Sequence, residues 1–182
     1  MLKKRIITAL FLLLTLIAAT TLVSSFYFAL LIAVVTLLAA WEWSGFIGLD
    51  DRASRIGYLV SVSIMIFGLF ILLGITPTTL VIDELRVGLL LGLGLLFWIL
   101  ILFVIAAYPE NKTAWNDKSK IACMGLFALI PAWVGMVQLK YLMPSGFLVQ
   151  SLIVMVAAVD VGAYFVGMKF GKTKLAEALS PK

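Results

Sequence analysis

The chain predicts an all-α, polytopic membrane fold of about six transmembrane helices with both termini in the cytoplasm, and three observations carry that prediction. It is 64% hydrophobic with a mean hydropathy of +1.18 over 182 residues, too apolar for a water-soluble domain of this size. Long apolar runs recur, each near the roughly 20 residues that a helix needs to cross a hydrocarbon core of about 30 Å. The third observation is where the charges fall. With the amino terminus inside, the inner segments collect Lys3, Lys4, Arg5, Arg52, Arg55, Lys112, Lys118, Lys120, Lys169, Lys172, Lys174 and Lys182, leaving only Arg86 and Lys140 of the 14 basic residues outside. The net charge of +5 is thereby an orientation signal rather than a nucleic-acid footprint.

The spans follow in order as one transmembrane domain over residues 1–182: Ile6–Val23, Phe26–Ala40, Ile56–Ile75, Val87–Tyr108, Ile121–Leu139 and Phe147–Met168. Only Ser24 and Ser25 separate the first two, which predicts a tight helical hairpin; the second is short unless it runs on through Trp43. Thr76-Pro77 closes the third span, Tyr108-Pro109 the fourth, and Pro144-Ser145-Gly146 turns the chain into the sixth. Pro131 falls inside the fifth and predicts a kink there. Tyr27, Trp41, Trp43, Tyr58, Tyr108 and Tyr141 sit at the expected interfaces. Lys3-Lys4-Arg5 followed by an apolar run imitates a secretory signal, but the run is too long and lacks a small-x-small cleavage site, so it reads as the first span. Cys123 is the single cysteine and reads as a small membrane-buried residue; with no histidine, imidazole metal ligands and bases are excluded.

The chemistry concentrates in the last third. Asp160 is one acid inside an apolar run, which costs about 2.5–3.5 kcal/mol on insertion scales and makes it a functional candidate. It lies about 20 Å along the sixth span from Phe147, in the inner half of the bilayer. Lys169, Lys172 and Lys174 emerge beyond it, where ammonium groups suit phosphates. Gly162 and Gly167 offer small surfaces for close helix approach, and Gly171 lets the chain leave the helix. Plain structural roles compete with these readings: an interhelical hydrogen bond for Asp160, membrane anchoring for the lysines and a helix-end carboxylate for Glu42. One alternative function is a small polytopic transport or scaffold protein with Asp160 as an ion or proton relay.

Asp160-Val161-Gly162-Ala163-Tyr164, followed by Gly167, Phe170-Gly171-Lys172-Thr173-Lys174-Leu175 and Ser180-Pro181-Lys182, resembles the middle region of the bacterial phosphatidate cytidylyltransferase (CDP-diacylglycerol synthase) family. The opening Met1 to Leu10, Ala39-Ala40-Trp41-Glu42-Trp43 and Pro131 to Leu139 are similar to that family at lower specificity. The resemblance implies an enzyme of the bacterial inner membrane that converts CTP and phosphatidate to CDP-diacylglycerol and pyrophosphate with Mg²⁺. It implies Asp160 as catalytic residue and metal ligand, and Lys169, Lys172, Lys174, Ser180 and Lys182 as substrate-binding residues. Val161 departs from the hydroxyl residue usual after the aspartate. The family's later acidic signature, which ends in Asp-Arg-x-Asp, is not in this chain, so the resemblance also implies a truncated form. The metal site then needs a second polypeptide that carries that part; a homodimer is the other implied assembly.

Overall fold

The computed structural model describes residues 14–106 and 117–171, all in helices and the turns that join them. Six helices follow in order: α1 over 14–21, α2 (Ser25–Phe46), α3 (Arg52–Leu72), α4 (Glu84–Ala106), α5 (Lys118–Leu142) and α6 (Phe147–Phe170). The five from α2 to α6 are long and apolar enough to cross a membrane. The expected first span survives here only in its described part, and Tyr108-Pro109 lies outside the described residues.

Helix bounds differ from the apolar runs at their ends, because polar residues join a helix once its backbone bonds need capping. α2 continues through Glu42 and Trp43 to Phe46, which settles the length of the short second span. α3 stops at Leu72, before Thr76-Pro77, because Gly74 adopts a left-handed φ of 64° and turns the chain first. α3 and α5 begin on aspartate caps, Asp51 accepting from the Ser54 amide (2.7 Å) and Asp117 from the Ser119 amide (2.9 Å).

α5 is the hub, touching α2, α3, α4 and α6. Its buried Ile130, Trp133, Val134, Val137 and Tyr141 recur at helical spacing and form the inner stripe. They meet Val62, Ile66 and Leu69 of α3 and Ala29 and Ala40 of α2. Trp133 is fully buried and donates its indole N–H to the Ala29 carbonyl (3.2 Å). α5 passes through Pro131 as one helix. The Pro131 ring is seated where Gly94 of α4 has no side chain: a Cβ there would lie 2.7 Å from Pro131 Cγ. Phe97 and Phe127 stack beside it, centroids 4.2 Å apart.

Lys140, one of the two basic residues that the charge count assigns to an outer segment, is turned into the bundle. It is 1% exposed, and its ammonium donates to the carbonyls of Thr20 and Pro144, both at 2.5 Å. Gln150 Nε2 donates to Thr20 Oγ1 (2.8 Å), and Ser25 Oγ to the Lys140 carbonyl (3.4 Å). Gly146, at a φ of 81°, passes so close to the Thr20 carbonyl that a side chain there would collide. The ends of α1, α2, α5 and α6 are thus tied around one cation, because helix-end carbonyls in an apolar setting need donors and the lysine supplies them.

Candidate functional site

At the opposite end of the bundle, side chains from α2 and α3 lock onto the first turns of α5. Trp43 donates its indole N–H to the Ile121 carbonyl (2.9 Å), and the Tyr58 hydroxyl donates to the Ala122 carbonyl (3.2 Å). Both reach over Gly125, where an added Cβ would overlap the Trp43 indole and the Tyr58 hydroxyl. The α2–α3 loop is held by two cations: Arg55 Nε donates to the Leu49 carbonyl (2.8 Å) and Lys118 Nζ to the Gly48 carbonyl (2.7 Å). The Arg55 guanidinium also lies 5.5 Å from the Trp41 ring centre. Asp51, fully solvated, has its carboxyl held below the usual carboxylate range by hydrogen bonds from Ser54, the hydroxyl first and the amide second. This clamp fixes α2, α3 and the start of α5 to one another at the end of the bundle opposite the Lys140 tie.

The end of α6 itself is bare. From Val154 to Lys169 every side chain is exposed, Asp160 among them, and Asp160 makes no hydrogen bond or ion pair among the described residues. The interhelical bond that would have given it a purely structural role is not formed here. An added Cβ at Gly162 or Gly167 meets nothing, so the close helix approach expected at those glycines is not made within the described residues either. Gly171 does end the helix, its amide donating to the Gly167 carbonyl (3.0 Å) in a turn that leaves no room for a side chain.

Along a helix the nine residues from Asp160 to Lys169 make two and a half turns, so the two sit on opposite faces about 14 Å apart along the axis. Asp160 instead shares its face with Ala163, Tyr164 and Gly167, a strip of small side chains beside one aromatic hydroxyl. Lys172, Lys174, Ser180 and Lys182 lie outside the described residues. No cluster of three or more acidic or thiol ligands exists among the described residues, so no group there could hold a metal ion without further ligands. Glu42 is exposed near the end of α2. Cys123 is exposed too, on the outer surface of a helix long and apolar enough to cross a membrane.

Sequence reasoning missed the Trp43 and Tyr58 donors, which read as interface aromatics, and the buried Lys140. A signal was present for the first pair: Gly125 interrupts the bulky α5 sequence where both rings arrive. Nothing in the sequence distinguishes Lys140 from a surface lysine.

The model of the cytidylyltransferase family matches residues 3–182. A phosphatidate cytidylyltransferase of Pseudomonas aeruginosa is 36% identical over 181 residues, which cover 100% of this chain and 63% of that protein. One of Haemophilus influenzae is 31% identical over 193 residues, covering 100% of this chain and 65% of its own length. The chain therefore spans under two thirds of the length of these curated relatives. No solved structure matches it. With a family match running almost from end to end, the chain belongs to the cytidylyltransferase family.

Proposed function

We propose that this chain forms the amino-terminal membrane portion of a phosphatidate cytidylyltransferase of the bacterial inner membrane. The observation that carries the reading is the family match over residues 3–182, joined by similarity along the whole chain to two proteins of that name. In the reaction a phosphate oxygen of phosphatidate attacks the α-phosphorus of CTP. The bond from that phosphorus to the bridging oxygen breaks, pyrophosphate leaves and CDP-diacylglycerol forms.

The chain's own contribution is positional. Asp160 is held at membrane depth on a helix whose far end is pinned by the Lys140 tie, so its carboxylate sits at a fixed height. Lys169, with Lys172, Lys174, Ser180 and Lys182 beyond it, supplies cations and a hydroxyl where triphosphate and lipid phosphate would meet. When bound, Mg²⁺ neutralises the triphosphate and the leaving group. Among the described residues no group of three or more ligands surrounds Asp160, so on this reading a second polypeptide segment supplies the rest, and no step is assigned to the metal here.

The exposed α6 face supports this reading over a transport or scaffold role, in which a relay carboxylate would face a path inside this bundle. The purified 182-residue chain should show no Mg²⁺-dependent turnover of CTP and phosphatidate above a membrane blank. Co-expression with the carboxyl-terminal third of the Pseudomonas aeruginosa relative should restore it. In that restored enzyme Asp160→Asn should abolish most activity while leaving membrane accumulation unchanged, because the amide keeps shape and loses charge. Turnover by the chain alone, or full activity of Asp160→Asn, refutes the assignment.

A further inference from the structure

α6 is held at one end. Val149 is fully buried and Gln150 Nε2 donates to Thr20 Oγ1 (2.8 Å), whereas every side chain from Val154 to Lys169 is exposed. Depth is fixed there by the turn at Gly146, which lies against the Thr20 carbonyl. Rotation about the helix axis is a separate matter, and apolar packing does not settle it. Between Phe147 and Met155 the helix carries Phe, Leu, Val, Ile and Met around its circumference, and lipid tails solvate such side chains as well as a neighbouring helix does. Gln150 is the side chain of that stretch that bonds to another helix among the described residues. Its partner is selective. Thr20 is fully buried, and its hydroxyl donates to the carbonyls of Leu16 and Ile17 (2.9 and 3.0 Å), so the oxygen faces α6 as an acceptor. An amide N–H meets that need, and turning α6 by one residue, about 100°, would leave the amide without its partner in an apolar setting.

We propose that Gln150 is a positioning residue: its hydrogen bond to Thr20 sets the rotation of α6 and thereby aims Asp160. The helix couples the two. Asp160 follows Val149 by three turns, about 16 Å along the axis and about 20° round it, so it stands on the face that is buried at Val149 and open at its own level. The bond thus directs the carboxylate to the side on which the bundle lies, where a group held between α6 and the other helices meets it, rather than into lipid. That Asp160 then serves nucleotidyl transfer rests on the proposed function; the aiming itself does not.

Spin-label distances test the aiming. In the chain carrying Cys123→Ser, labels on Ile56→Cys of α3 and Val166→Cys of α6 report α6 against the clamped end, and labels on Ile56→Cys and Leu102→Cys give a control across α3 and α4; all three positions are exposed. Thr20→Val keeps the volume and loses the hydroxyl, while Thr20→Ser keeps the hydroxyl and loses a methyl. On a helix about 11 Å across, a turn of one residue carries a surface label about 8 Å. Pulsed electron-spin measurements in nanodiscs should find the α3–α6 distribution shifted or broadened by several ångström, up to that limit, in Gln150→Leu and Thr20→Val and unchanged in Thr20→Ser. The control distance should stay the same in all of them. A shift with Thr20→Ser and none with Thr20→Val makes packing the cause and overturns the proposal, as does an unmoved α6 in Gln150→Leu or a control pair that moves with it. In the enzyme restored by co-expression, Gln150→Leu should lower kcat by about tenfold to a hundredfold and leave the KM for CTP unchanged. Full kcat with a displaced α6 also overturns the positioning role. Absence of turnover in the restored parent refutes the nucleotidyl-transfer reading instead, and the distances then decide the aiming by themselves.

Discussion

Replacing Gly125 with alanine sets two physical effects against each other. Helix propensity alone says that Gly→Ala in a helix interior stabilises by about 1 kcal/mol. The bundle says the reverse. A Cβ at residue 125 falls inside the contact distance of both the Trp43 indole and the Tyr58 hydroxyl, so both rings must withdraw. Their hydrogen bonds to Ile121 and Ala122 are then lost or stretched, at about 0.5–1.5 kcal/mol each. Repacking the displaced rings adds about 1–3 kcal/mol. After the propensity gain is subtracted, Gly125→Ala should destabilise by about 1–5 kcal/mol, with about 3 as the central value. The assay is equilibrium unfolding in mixed micelles by titration with a denaturing detergent, followed by far-UV circular dichroism. A cycle with Tyr58→Phe isolates the cause, because a ring without its hydroxyl relieves part of the collision and the double variant should cost less than the two singles added. A Gly125→Ala protein more stable than its parent, or strict additivity with Tyr58→Phe, refutes the clamp.

Lys140→Met should destabilise by about 2–6 kcal/mol, since two buried carbonyls lose their donor at about 1–3 kcal/mol each, and the same unfolding assay reads it. The orientation is tested by cysteine labelling in intact cells after Cys123 has been removed. A cysteine near Thr79 should react with a membrane-impermeant thiol reagent and one near Lys172 should not, while outside labelling at Lys172 reverses the topology.

The fold was legible because hydropathy and charge each encode it separately: the apolar runs of α2 to α6 are the helices, and Pro144-Ser145-Gly146 marks the turn into α6, whereas the turn after α3 comes at Gly74, ahead of the Thr76-Pro77 that the sequence suggested. The family was legible from the Asp160 to Lys182 pattern, whose order and spacing do not arise from membrane insertion. What was not legible is partnership in space. A lysine ending an apolar helix reads the same whether its ammonium reaches water or the carbonyl of Thr20, since the difference lies in where α1 ends, 120 residues away in sequence. Likewise Trp43 and Tyr58 carry the composition of interface aromatics, and only the arrival of Gly125 turns them inward. Asp160 stands out in the sequence by its cost, but nothing local to it says what covers it.

That cost has a cellular side. A carboxylate exposed on a bare helix face is held at a penalty of about 2.5–3.5 kcal/mol in hydrocarbon, equivalent to roughly a hundredfold in an equilibrium. Any surface that covers Asp160 with ligands or donors recovers that factor before it forms a single apolar contact. On this reading the acid that would serve chemistry also favours assembly, since a copy left uncovered carries the penalty and a covered copy does not.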